Sequence, residues 1–243
     1  MKYGLSFNGI HSNTYEVVVK SKNRQILPAT NDVYLEIPGR AGSYLIPREV
    51  KDRTIEVECA LVRDSLEELR MAMRDISAWL NTRSKVQLIF DDEPDKYYLA
   101  KLSTQIDITQ TYTLGQFTLI FRCEPYAYSI TPKTQNFIAD SLTITNAGTA
   151  PFFPKFTATF TAPATELKIW FGNYYMRIVR NFIIGDVLVI DHAISKVTVN
   201  GLSTMVSLDL NSRFFSIGSG VNALNVTPPA KATTVITWRE RWL

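Results

Sequence analysis

Four carboxylates crowd one short stretch, Asp91-Asp92-Glu93-Pro94-Asp95. Clustered oxygen donors are what a hard cation such as calcium requires, but a calcium site takes about six oxygens from a shaped loop. The glycine and terminal glutamate of an EF-hand loop are absent. The stretch therefore reads as a solvated hairpin turn. Its one chemical use would be to repel nucleic-acid phosphates, were it to face a channel. Paired carboxylates also serve glycosidases, which set two of them across a substrate. With 23 acidic residues in the chain, a pair can always be nominated, and no local context singles one out.

Other reactive residue types fare no better. Gly218-Ser219-Gly220-Val221-Asn222 lacks the Lys-Ser/Thr of a phosphate loop and precedes a strand, so it reads as a turn. Pro38-Gly39-Arg40-Ala41-Gly42 reads as a flexible loop, with a contact loop as the functional alternative. No Gly-x-Ser-x-Gly elbow occurs. Cys59 and Cys123 lie in apolar, strand-like text with no neighbouring histidine and read as buried free thiols, a disulfide staying open. His11 and His192 read as surface or hydrogen-bonding residues. Two cysteines and two histidines cannot supply four zinc ligands without carboxylates. No catalytic residue, metal or cofactor is assigned. Trp170, Phe171, Tyr174 and Tyr175 flank Gly172-Asn173. Aromatic rings beside a turn stack on sugars or fill a hairpin core; Trp170, Tyr174 and Tyr175 are the candidate saccharide contacts.

The elements that position these residues follow from pattern. Ile55, Val57, Cys59 and Leu61 alternate with Glu56, Glu58 and Ala60, as in a half-buried strand. Leu66, Leu69, Met73, Ile76 and Leu80 recur at helical spacing with Trp79 beside them. Ser65 and Glu68 have the spacing of a capping box, Asp64 competes as the cap, and Asn81 fits the end. Residues 85–90 and 96–102 make a hairpin about the acidic turn, and "IDITQTY" with "GQFTLIFRCEPYAY" makes a second. Two short strands flank the Pro38–Gly42 loop. Strands, one helix and then hairpins predict an α+β first domain, residues 1–133. Residues 134–243 show short strands at near-regular spacing, separated by Gly-containing turns, with no helix: an all-β sandwich.

Composition agrees with a globular chain. Of 243 residues, 46% are hydrophobic, 12% aromatic and only 20% charged, so part of the surface is expected to be covered by partners. The net charge of +3 is spread along the chain, with no basic stripe for nucleic acid. No apolar run reaches the roughly 20 residues of a membrane helix. The opening "MKYGLSFNGIHSNTYEV" lacks an apolar core with a cleavage site. A protein made in a cytoplasm, or joined to a particle assembled there, is expected.

Several stretches, taken in order, resemble one family. "LSFNGIHS", "LEIPGRAGSY", "RTIEVECAL" followed by "LEELRMAMRDISAWLN", "LIFDDEPDKYYLAKL", "NAGTAPFFPKF", "GDVLVID", "GSGVNAL" and the terminal "WRERW" are similar to distal tail proteins of siphoviruses that infect Gram-positive bacteria. The resemblance implies a first domain that closes into a hexameric ring continuing the tail tube. It implies an outer domain like a galectin or carbohydrate module, and a last strand that returns toward the first domain. It also implies a hub with the tail tube on one side and a tail-associated lysin or spike on the other, with the tape measure as a further partner. Receptor-binding proteins surround that hub in some phages. Pro38, Gly39, Arg40 and Gly42 become the candidate ring or partner contact loop. Two other classes stay in play: a saccharide-binding adsorption protein using Trp170, and a wall hydrolase. A phage-like bacteriocin part is a further variant of the structural reading.

Overall fold

The computed structural model describes residues 4–103, 106–137 and 140–243. The chain divides into two units, Met1–Ile130 and Thr131–Trp242. The first holds strands β1 (Leu5–Phe7), β2 (Ile10–His11), β3 (Val18–Arg24), β4 (Val33–Glu36), β5 (Ser43–Ile46) and β6 (Arg53–Val62). Helix α1 (Leu66–Leu80) follows, then β7 (Val86–Phe90), β8 (Lys96–Leu102), β9 (Ile108–Thr111) and β10 (Leu114–Ser129). Its main sheet runs β2-β1-β7-β8-β10-β6-β3, with β9 also on β10.

The alternation of β6 does what the sequence asks of it. Ile55, Val57, Cys59 and Leu61 are at most 1% exposed, with the glutamates on the opposite face. The helix caps as its residues predict: Ser65 Oγ accepts the Glu68 backbone N–H at 3.2 Å, and the Asn81 N–H donates to Ser77 O. Its buried face, however, is Leu69, Ala72, Ile76, Trp79 and Leu80. Leu66 stays 42% exposed and Met73 half-buried. The buried face takes in Trp79, whose ring meets Phe7 edge-on and stacks on Tyr15 while its indole N–H donates to Phe7 O at 2.9 Å. Close packing also fixes Gly115 at the start of β10. A Cβ there would sit 2.7 Å from Ile108 Cδ1, with Leu69 and Met73 just behind.

The sheet curls. Strand β3 ends the pairing path, yet Arg24 lies 4.4 Å from the Phe90 ring of β7 and its guanidinium reaches Asp92 and Glu93. Side chains, not backbone bonds, draw these distant strands together.

The second unit holds β11 (Lys133–Asn136), β12 (Ser141–Asn146), β13 (Lys155–Phe160), β14 (Ala164–Phe171), β15 (Tyr174–Phe182), β16 (Val187–Asp191), β17 (Lys196–Val199), β18 (Leu202–Ser203), β19 (Gly220–Thr227) and β20 (Ala232–Trp238). They form two sheets, β11-β20-β13-β16-β17-β18 and β12-β19-β14-β15. One apolar core takes side chains from both, including Phe156, Phe160, Ile190 and Ile236 of the first and Ile144, Ile169, Ile178 and Leu224 of the second. Asn200 and Gly201, both at positive φ, make the two-residue turn joining β17 to β18. Its one helical segment among the described residues is a short 3-10 turn, Met205–Ser207.

Candidate functional site

Strands β4 and β5 form a sheet of their own, paired from Val33↔Ile46 to Glu36↔Ser43. Every residue of both is exposed. The sequence explains why this matters. A hairpin that covers a core alternates apolar with polar residues. Here Val33-Tyr34-Leu35 and Tyr44-Leu45-Ile46 run apolar without interruption, so both faces are greasy. Tyr34 is 65% exposed, Leu45 52% and Ile26, on the approach, 96%. A lone two-stranded hairpin is marginal in water, and a contiguous exposed apolar surface marks an interaction site.

The base of the arm is well anchored. Thr30 bridges Val50, and Lys51 N–H donates to Ala29 O at 2.7 Å. Asp32 accepts from Thr30 Oγ1 at 2.6 Å and from Arg48 N–H at 2.9 Å, which holds its carboxyl below the usual range, the threonine bond counting most. At the tip lie Pro38, Gly39, Arg40 and Gly42. Gly39 (φ +84°) and Gly42 (φ +80°) adopt backbone that a side chain would strain. Arg40 folds back over the Tyr44 ring at 3.6 Å. The candidate contact loop is thus the end of the arm. Reasoning from the loop alone missed the apolar flanks, which carry most of the exposed surface; their unbroken apolar runs were the available signal.

The acidic turn between β7 and β8 is more than a solvated loop. Asp91 pairs with His11 (3.0 Å), Asp92 with Lys22 (3.0 Å) and Arg24 (2.5 Å), and Glu93 with Arg24 (3.2 Å) and Lys96 (3.1 Å). Burial works to raise the Asp92 carboxyl, but the bonds and charges of Lys22 and Arg24 outweigh it and hold it low. Asp92 and Glu93 are paired with Lys22 and Arg24 about seventy residues away in sequence, a pairing that local reading cannot see.

In the second unit, Trp170, Tyr174 and Tyr175 sit at the β14–β15 hairpin. Trp170 is 37% and Tyr174 47% exposed, while Phe171 packs against Phe215. The Lys168 ammonium lies 3.4 Å from the Trp170 ring centroid and 3.7 Å from that of Tyr175. A ring face that holds a lysine is not open to a sugar.

The remaining reactive types are sequestered. Cys59 and Cys123 are free and buried, and burial pushes both thiols up to about 12. His192 is 2% exposed, so it is a hydrogen-bonding residue and not a surface one. Its Nδ1 accepts the Phe215 N–H at 3.0 Å among the rings of Phe156, Phe214 and Phe215, and burial lowers its pKa to about 4.

Buried thiols, tied carboxylates and an exposed apolar arm define a protein built to assemble. The comparisons give it a class. Residues 11–123 match the phage tail protein RIFT-related domain, and residues 147–242 match the C-terminal domain of siphovirus-type tail components. The distal tail protein of Bacillus phage SPP1 is 26% identical over 216 residues, covering 85% of this chain and 83% of that one. The crystal structure of SPP1 Dit, presented as a paradigm of the hub adsorption apparatus in phages infecting Gram-positive bacteria, matches with a TM-score of 0.88 at 20% identity over 99% of each chain. It establishes the fold. The chain belongs to the siphovirus distal tail protein family, and it is a structural component of the phage tail.

Proposed function

We propose that this protein closes as a homohexamer into a ring at the tail tip. It would serve there as a non-catalytic hub between the tail tube on one side and a tail-associated lysin or spike on the other, with the tape measure as a further partner and receptor-binding proteins around it in some phages. The observation that carries this reading is the β4–β5 arm, apolar on both faces and exposed along its whole length. An apolar arm of this kind is stable in water only when another surface covers it. A ring supplies that surface on the next copy, through a heterologous contact that closes. The match to the SPP1 hub protein supports the same reading.

The saccharide alternative is weaker because Lys168 occupies one face of each of Trp170 and Tyr175. Loss of glycan-array binding on Trp170→Ala would revive it.

Negative-stain imaging of the purified chain tests the ring. Six-fold particles are expected, and Leu35→Asp with Leu45→Asp should remove them without unfolding the chain. A monodisperse monomer at high concentration would sink the proposal.

A further inference from the structure

The first unit carries opposite charge at the two ends of one strand. At the start of β6, antiparallel pairing sets Val86 beside Ala100, Ala100 beside Cys123, and Cys123 beside Arg53. One position along that ladder, Lys101 and Arg122 face each other directly, and Lys85 flanks the same row. Like charges in direct cross-strand register are destabilising. A single carboxylate, Asp52, serves two of them, at 3.1 Å from Lys85 Nζ and 2.8 Å from Arg122 Nε. Beneath the row lies Arg53, 3% exposed, with its Nε and Nη2 buried and without hydrogen-bond partners among the described residues. Arg122 remains 68% exposed at the side chain and Lys101 is exposed. One carboxylate among these cations leaves a surface with excess positive charge, kept at a cost.

At the other end of β6 the chain turns through Arg63, Asp64 and Ser65 into α1. There Glu16, Asp64, Glu68 and Asp75 line one open concavity with Arg63. Arg63 is committed to Glu16 and to Tyr15 O. Asp64, Glu68 and Asp75 have no ion-pair partner among the described residues. Ten residues of strand separate the two patches, roughly 30 Å at 3.3 Å per residue, so they cannot neutralise each other within one chain.

We infer that the Lys85–Lys101–Arg122 row of one copy seats against the Glu68–Asp75 concavity of the next, a head-to-tail contact between copies of this chain. The inference rests on the ring reading and names surfaces for it besides the arm. Complementary surfaces at opposite ends of one element are what a heterologous, closing contact requires. The occupant is a second copy because the chain itself supplies the matching charge.

Sedimentation velocity on the full chain tests this with two double variants, Lys101→Glu/Arg122→Glu and Glu68→Lys/Asp75→Lys. Each alone should weaken self-association at least about tenfold at low salt. An equimolar mixture of the two should restore it, because in an alternating ring each contact pairs either a reversed row with a reversed concavity or a native row with a native concavity. Rescue also shows that both variants fold. If wild type assembles and either variant matches it, or the mixture fails, this inference falls and the ring stands. If wild type never assembles, both fall.

Discussion

At the scale of the residue, the most consequential side chains are buried ones with something to lose. His192 is held neutral by burial, with a folded pKa of about 4 against an ordinary 6.5. The unfolded chain therefore binds the proton more readily, and stability falls as pH drops from 6.5 toward 4. Between pH 7.5 and 5 the wild type should lose about 2 kcal/mol from this group in urea titrations, and His192→Gln should flatten that slope. An unchanged slope in the variant would assign the pH dependence elsewhere. Ser65 acts at an exposed helix start, where its hydroxyl accepts the Glu68 N–H. Ser65→Ala should cost about 1 kcal/mol by thermal unfolding. The cap was legible because capping is local: a residue and its partner three positions on. The setting of His192 was not, since Phe156 and Phe215 reach it from strands and loops far along the chain.

The same division between local and distant holds for elements. The helix and the alternation of β6 could be read directly from sequence, because a helical stripe and a period of two are properties of contiguous residues. Which side of the stripe is buried depended on where Trp79 packs, and that is a tertiary fact. Leu69→Ala should cost about 3 kcal/mol, whereas Leu66→Ala should cost under about 0.5 kcal/mol. Equal losses would mean the helix sits rotated from the position described. The arm shows the limit more sharply. Two strands around Pro38–Gly42 were readable, but the absence of any cover over Tyr34, Leu35, Leu45 and Ile46 emerges only from the fold. Likewise, the turn at Asp91–Asp95 was readable, while the cations that pair with Asp92, Lys22 and Arg24, come from β3 across a curled sheet.

For the whole molecule, two kinds of surface bear on assembly, and salt separates them. Apolar burial is non-directional and little affected by moderate salt. Contacts between exposed charges are screened, the Debye length shrinking from about 10 Å at 0.1 M to about 3 Å at 1 M. If the arm supplies most of the contact energy and the Lys101–Arg122 row sets its register, rings should form at low salt and loosen, without vanishing, as salt rises. Leu35→Asp/Leu45→Asp should abolish them at every salt concentration, because the apolar contact is gone whatever the screening. Lys101→Glu/Arg122→Glu should hurt most at low salt and least at 1 M, where repulsion between the reversed row and the native acidic concavity is screened as fully as the attraction it replaced. Sedimentation velocity across a salt series reads both curves on one axis. An arm variant that assembles in low salt would show that charge alone closes the ring, and a salt-independent wild type would show that the cationic row faces solvent in the assembled tail.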